Sequence, residues 1–459
     1  MSKMSVDIAI NGGMVCSFNP DCLQKRNIGI RNGKIVLISE EKINGTKEID
    51  ASGKIVAPGF IDFHSHVDGK QFSGECMVRQ GATTTIGGER NFDGIRVRQI
   101  FERGFIMNQG YYISHSFSLR KAVGIDNPYR AATEREQMMM RELAEEFFIN
   151  GAFGIHFGLE FVPGTSKEEI VSLSEVAEKY RKPIVVHSRE DGRKALESLE
   201  EIIEIAQETG AAMHILHLEY MLGYNGVMKT ALERMKKAIR EGADISADTG
   251  VYAAFPACIG SSIFDDGWRE KYRKGTDYDS LVISSGAYAG EPCTKENFDY
   301  LRKMLPNTLV TAFVLDKDTI AEALREPFVY VSTNGADGPH YEGAGHPETS
   351  GTFPRLMKQY VRENKTLELT EAIKKCTYLP AVRFGIEKRG NIKIGYYGDI
   401  VIFDFDRIED RAYFMGAGNP NMAPEGISSV LVNGQVVVDH GQLEYGMQPG
   451  LYLNTVLSV

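Results

Sequence analysis

Between residues 58 and 384, short apolar runs alternate with segments of helical period, and this alternation limits the fold more than any other feature of the chain. Strand-like runs span 59–66, 81–87, 110–116, 151–156, 182–187, 211–217, 243–248, 308–314 and 327–333. Helical patterns lie between most of them. Residues 166–179 carry apolar positions at helical spacing behind Ser166, a residue suited to an N-cap. Further helices are predicted over 193–208, closed by Thr209-Gly210, and over 227–241, closed by Gly242. Glycine just past the last turn is the expected stop. Strands separated by helices run parallel, and eight such repeats would close a (β/α)8 TIM-like barrel, an α/β fold with the doubly wound open sheet as its competitor. Nine runs are one too many. Residues 253–305 break the alternation with Phe255-Pro256, Gly260-Ser261-Ser262 and Asp265-Asp266-Gly267, so they read as an excursion, with 308–314 as its end. Such insertions sit among the βα loops and often line the site.

Both chain ends lack helical period. Residues 7–10, 27–30 and 34–38 read as strands, with Asn32-Gly33 as a hairpin turn between the last two. The pattern returns over 399–403, 429–432 and 435–438, the last two joined by Asn433-Gly434. Neither end has enough strands to bury a core alone. The expected organisation is therefore a small β-sandwich domain built from 1–57 and 385–459 around a barrel spanning 58–384.

A net charge of -10 argues against a protein that coats nucleic acid, and no basic run suggests a membrane surface. The uncharged run 249–264 is too short and too broken by Gly250, Pro256 and Gly260 to span a bilayer. Residues 1–7 lack the apolar stretch of a signal peptide, and the six scattered cysteines contain no CxxC pair. A cytoplasmic protein with reduced thiols is expected. Its expected partner is a small-molecule substrate, with no nucleic acid and no membrane; a symmetric homo-oligomer is the default assembly.

Ten histidines are present, and several close predicted strands, at the end where a barrel carries its active site. His64 and His66 end the run that begins at Pro58-Gly59-Phe60; two residues apart on a strand, they would face the same way. His187 ends the fifth run, His217 the sixth, and Asp337 follows the last. Imidazoles and a carboxylate at matching strand ends point to a metal site. His115 and His156 end the third and fourth runs and are candidate pocket residues, as are His340 and His346 in the loop after Asp337. His214 reads as a packed strand residue and His440 as solvent-facing.

These motifs together resemble the amidohydrolase superfamily, in particular its N-acyl-D-amino-acid deacylase (D-aminoacylase) branch. The resemblance rests on Pro58-Gly59-Phe60-Ile61-Asp62-Phe63-His64-Ser65-His66, Gln80-Gly81-Ala82-Thr83-Thr84, Gly151-Ala152-Phe153-Gly154 with Gly158-Leu159-Glu160, His187-Ser188-Arg189-Glu190-Asp191, His217-Leu218, and Gly335-Ala336-Asp337-Gly338. It continues through His346-Pro347, Gly351-Thr352-Phe353-Pro354-Arg355, Gly398-Asp399-Ile400-Val401-Ile402-Phe403-Asp404 and Val432-Asn433-Gly434. It implies a metal-dependent hydrolase of a C–N amide bond, using one or two divalent ions, Zn2+ first among them. His64, His66 and Asp337 would hold the more exposed metal position, and His187 and His217 the deeper one. Metal-bound hydroxide would attack, and Asp337 would serve as general base and then acid.

Three departures accompany the resemblance. The bridging ligand of this branch is a cysteine after the second strand, where this chain has Gly87-Gly88-Glu89-Arg90, which makes Glu89 the substitute. Cys76 lies upstream of that strand. The carboxylated lysine used by cyclic-amide hydrolases of the hydantoinase or dihydroorotase kind is absent from 154–158, which lowers that alternative. Two positions that are cationic in the deacylases are Glu219 and Glu348 here, so a substrate carboxylate would meet repulsion there. Arg90, Arg120, Arg189 and Tyr252 remain candidate anion partners. A deaminase of the superfamily and a metal-free binding protein are the remaining alternatives.

Overall fold

The computed structural model describes residues 5–88, 94–224, 226–272, 275–335 and 341–455. Eight strands run parallel: β1 (Phe60–Asp62), β2 (Ala82–Gly87), β3 (Asn108–Tyr111, continued by Ile113–Ser114), β4 (Ile155–Gly158), β5 (Ile184–His187), β6 (Met213–Ile215), β7 (Ile245–Thr249) and β8 (Val329–Val331). β1, β2 and β3 form one ladder; the continuation of β3 starts a second that passes through β4, β5, β6 and β7 to β8. Tyr112 N donates to Gly87 O at 2.7 Å and Ile113 N to Gly154 O at 2.9 Å, so the two ladders meet at β3. At the far edges Asn334 N donates to His64 O at 2.9 Å and His66 N to Gly335 O at 2.8 Å. The segments that follow β8 and β1 therefore run side by side.

Alternation along each strand divides its side chains between two cores. Ile155, Phe157, Ile184, Val186, Met213 and Ile215 pack against the surrounding helices, with Ile170, Leu173, Val176, Leu199 and Ile202. Val185, on the opposite face of β5, joins Ile61, Phe63, Tyr112, Phe153 and Phe384 instead. The helices stop where the sequence says they should. Lys167–Lys179 is capped by Ser166 Oγ, which accepts from Glu169 N at 3.2 Å. Ala195–Thr209 ends at Gly210 with φ 70°. Val227–Arg240 is followed by Gly242 with φ 100°.

The surplus strand-like run, Leu309–Ala312, is not part of the parallel set. It is the centre of a three-stranded antiparallel sheet between Phe255–Cys258 and Leu281–Ile283, over a separate core of Phe255, Phe264, Trp268, Phe298 and Val310. No helix among the described residues is long and apolar enough to cross a membrane. The six cysteines form no disulfide.

A nine-stranded sheet joins the two chain ends, with Ile55–Pro58 antiparallel to Ile400–Phe403 at the seam. Ile400 and Ile402 pack with Ile8, Ile28 and Ile30; Val401 and Phe403 turn the other way, towards Phe60 and Phe353. Both Asn-Gly pairs turn tight hairpins with positive φ at both residues, 51° and 74° for Asn32-Gly33 and 50° and 71° for Asn433-Gly434. The hairpin tips touch: a Cβ on Gly33 would lie 2.8 Å from Asn433 O.

Beside these tips a buried polar network links the sheet to β3. Arg389 pairs with Asp399 and donates to Asn433 Oδ1 at 2.8 Å. Asn433 N donates to Asp399 Oδ1 at 2.6 Å, and Asn108 Nδ2, on β3, donates to Asp399 Oδ2 at 3.2 Å. Removing one member of a buried pair leaves an uncompensated charge. Arg389→Met is expected to cost about 3–5 kcal/mol in urea unfolding; a loss below about 1 kcal/mol would show that this joint is not rigid.

Candidate metal centre

His64, His66, His187 and His217 line one pocket, with Asp191, Asn334 and an apolar wall that includes Phe117, Phe161, Tyr220, Phe255 and Ile263. Each imidazole arrives by a different local route. His187 is the last residue of β5, and since Ile184 and Val186 face the helices, alternation sends it to the opposite face. His64 and His66 do not share a strand face as expected. β1 ends at Asp62, whose carboxylate is taken by Thr333, through Thr333 N at 3.1 Å and Thr333 Oγ1 at 2.5 Å. The two histidines stand in the turn beyond, their rings 6.2 Å apart. His217 also lies past its strand, at φ 37°. That left-handed conformation is costly for a residue with a Cβ and persists only where the surroundings enforce it. Here Asp248 Oδ1 accepts from His217 N at 2.6 Å.

Asp248, on β7, was not singled out in the sequence, yet it organises the site. Its Oδ2 lies 3.2 Å from His64 Nδ1 and 3.1 Å from His214 Nε2. An ionised carboxylate only accepts, so His64 carries its proton on Nδ1 and its lone pair on Nε2. His214 is a packed residue, as expected, and its other nitrogen meets Ser246 Oγ at 2.8 Å.

The second pair is closer still. His187 Nδ1 lies 2.9 Å from His217 Nε2, and His187 Nε2 lies 2.9 Å from Glu160 Oε2. Burial, then the neighbouring His187 and His64, push His217 well below the usual imidazole range. A neutral imidazole is the ligating form. His217 Nδ1 is buried with no hydrogen-bond partner. Facing imidazole nitrogens, each ring oriented by a carboxylate or a backbone contact, fit a divalent ion that prefers nitrogen and oxygen donors. On the outer side, Glu160, His187 and Asp191 bring ligand atoms within 4.8 Å of one another. Burial, then the charge of Glu160, pushes the Asp191 carboxyl up to about 7.

The other expected site residues are distributed differently. Glu89, Arg90, Asp337 and His340 lie outside the described residues. His115 is fully buried away from the pocket lining, with Nε2 2.8 Å from Glu169 Oε1. Arg120 pairs with the same Glu169, and Arg189 with Glu201, so both cations are committed to carboxylates. His156 is buried on β4 and is not among the lining residues. Tyr252 donates to Asp410 Oδ2 at 3.3 Å, beneath the Arg355 guanidinium.

Glu219 and Glu348 do not face solvent and are not among the described lining residues. Both are buried, at 1% and 2% exposure, behind Tyr220. Gly250 N donates to Glu219 Oε1 at 2.7 Å; burial, then Asp248, pushes that carboxyl up to about 8. Tyr220 OH donates to Glu348 Oε2 at 2.7 Å, with His346 Nδ1 3.1 Å from the same oxygen. Tyr220 in turn stacks on His217 at 5.1 Å. The helix carrying Glu348 is pinned by Gln80, whose amide donates to Thr349 O at 2.6 Å and accepts from Phe353 N at 3.1 Å.

The chain is 27% identical to a D-aminoacylase of Alcaligenes xylosoxydans xylosoxydans, over 94% of each chain. Its structure superposes with TM-score 0.87 and 26% identity on N-acyl-D-glutamate deacylase of Bordetella bronchiseptica, covering 98% of this chain and all of that one. That relative was crystallised with zinc and a phosphonate mimic of the tetrahedral intermediate. A D-aminoacylase described as having a binuclear metal centre, with one-metal activation and second-metal attenuation, gives TM-score 0.85 at 25% identity over 98% of this chain and all of that one. The Amidohydrolase family model matches residues 55–437, most of the length, and the chain belongs to that family.

Proposed function

We propose that the protein is a metal-dependent hydrolase of a C–N amide bond in a small molecule, most like an N-acyl-D-amino-acid deacylase. The observation that carries this reading is the meeting of four imidazoles in one pocket, with His187 Nδ1 and His217 Nε2 2.9 Å apart. We further propose that the eight parallel strands close into a barrel, and that 1–57 and 385–459 form a β-sandwich beside it. The bonds from Asn334 N to His64 O and from His66 N to Gly335 O support closure. The shared core of Ile8, Ile28, Ile400 and Leu431 supports the sandwich.

When bound, a divalent ion, zinc in the first instance, acidifies water and polarises a carbonyl. His64 and His66, with Asp337, would hold one metal position, His187 and His217 would hold the other, and Glu89 would be a further ligand. One ion suffices, and the donor set accommodates two. Asp337 takes the proton from the attacking water and returns it to the leaving nitrogen. Phe117, Phe161, Phe255 and Ile263 wall the pocket and keep bulk water from the reacting amide.

Metal analysis of the purified protein, with a panel of N-acyl-D- and N-acyl-L-amino acids, their carboxamides and cyclic amides, tests the reading. Turnover of a linear N-acyl substrate is expected, abolished by a chelator and restored by zinc. Faster turnover of the cyclic amides would favour the hydantoinase-like alternative. No lysine or arginine occurs among the described lining residues, so each carboxamide is expected to react at least as fast as its acid. Asp337→Asn is expected to lower kcat by at least about 100-fold with metal content largely intact, since the imidazoles remain; retained turnover removes Asp337 from the mechanism. His217→Ala is expected to lose metal and activity together.

A further inference from the structure

At the end of the parallel strands opposite the imidazoles lies a second cavity, open and of about 580 Å3, a size suited to a small molecule. Lys182 lines it, two residues before β5. His187 closes β5 at the other end, so at the rise of a strand the two sites stand about 16 Å apart.

Lys182 is unlike the other lysines drawn inside. Lys375, at 1% exposure, donates to Glu326 O at 2.6 Å and to Val329 O at 2.9 Å. Lys271, partly buried, pairs with Glu160. Lys182 is 8% exposed, and its ammonium has no hydrogen-bond or ion-pair partner among the described residues. Burial acts on it unopposed and lowers the amine to about 8. A cation held out of water without a counter-charge is costly, and an anion entering the cavity would remove that cost.

The surroundings are positive too. Arg181, Arg383, Lys388 and Arg389 line the same cavity against one carboxylate among the described lining residues, Glu387. Arg383 is committed to Asp244 and to Met213 O, and Arg389 to Asp399 and Asn433. Arg181 and Lys388 are exposed and make no ion pair among the described residues. Phe153, Pro183, Leu451 and Leu453 supply an apolar wall.

We infer that this cavity binds a small organic oxyanion, a carboxylate or a phosphate on an apolar body, with the Lys182 ammonium as its main contact and Arg181 and Lys388 at its rim. Oxyanions accept strong, charge-assisted hydrogen bonds from such groups, while the apolar wall takes the body. The site is separate from the imidazole pocket, and the inference stands whichever way the proposed metal chemistry is decided.

Calorimetric titration of the metal-stripped protein with phenyl phosphate and with benzoate tests it, since no metal is then present to bind either probe. Saturable binding at one site is expected, and the tighter probe tells phosphate from carboxylate. Lys182→Met is expected to weaken that binding about 10–100-fold, as loss of a hydrogen bond between charged groups does, and Lys182→Arg to keep most of it. Arg181→Asn combined with Lys388→Asn is expected to weaken it about 3–10-fold; asparagine tolerates the left-handed backbone at both positions, φ 51° and 57°. His217→Ala is expected to bind the probe as the parent does. Absence of saturation by about 10 mM of either probe overturns the inference, as does affinity within about twofold of the parent in Lys182→Met. Binding lost in His217→Ala overturns it as well, by placing the anion among the imidazoles. Should Lys182→Met fail to fold, the double rim variant decides, and unchanged affinity there overturns the inference.

Discussion

The carboxylate of Asp248 reaches three parts of the chain at once. It takes His64 Nδ1 from the turn after β1, His214 Nε2 from β6, and the backbone N–H of His217 just past β6. Each contact alone is an ordinary hydrogen bond. Together they fix the ring of one candidate ligand and the backbone of another from a single rigid strand. The left-handed conformation of His217 depends on this hold, and so does the close approach of its ring to His187. Burial alone would raise the Asp248 carboxyl, but the His64 and His214 imidazoles override it and keep it far below the usual carboxylate range.

Much of this architecture was legible in the chain because it follows local rules. Strand–helix alternation located the eight parallel strands, capping residues located the helix ends, and the two Asn-Gly pairs located hairpins. The histidines could be chosen because strand ends can be counted in sequence. What could not be read was distance. Glu160 stood inside a recognised motif, two residues past β4, without an assigned role, because nothing local announces that Lys271 comes back to meet it. Asp248 sits in an unremarkable Ser-Ala-Asp-Thr run. His115 looked like a pocket residue from its strand end, but its partner Glu169 lies on a helix more than fifty positions on. Glu219 and Glu348 read in sequence as charges facing substrate; that both are buried, with Tyr220 OH donating to Glu348, follows from contacts no local rule shows.

Two kinds of support surround the pocket. One is apolar: Phe117, Phe161, Phe255 and Ile263 come from separate segments and share one wall. The other consists of carboxylates behind the imidazoles, Asp248 on one side and Glu160 on the other, each of which also satisfies groups unconnected with the site. A buried polar group is tolerable only when its partners are present. The site therefore depends on elements far from it in sequence, including an inserted sheet with its own core.

The seam of the terminal sheet bears on how such a chain comes off the ribosome. Val56 pairs with Ile402, so strands made early wait for a partner made late, after all eight parallel strands have emerged. In the interval the Ile55–Pro58 edge has open hydrogen-bonding groups beside apolar side chains, which is a template for wrong pairing. Contacts this distant in sequence also slow the final docking. Early packing of the parallel strands and their helices would shield that edge.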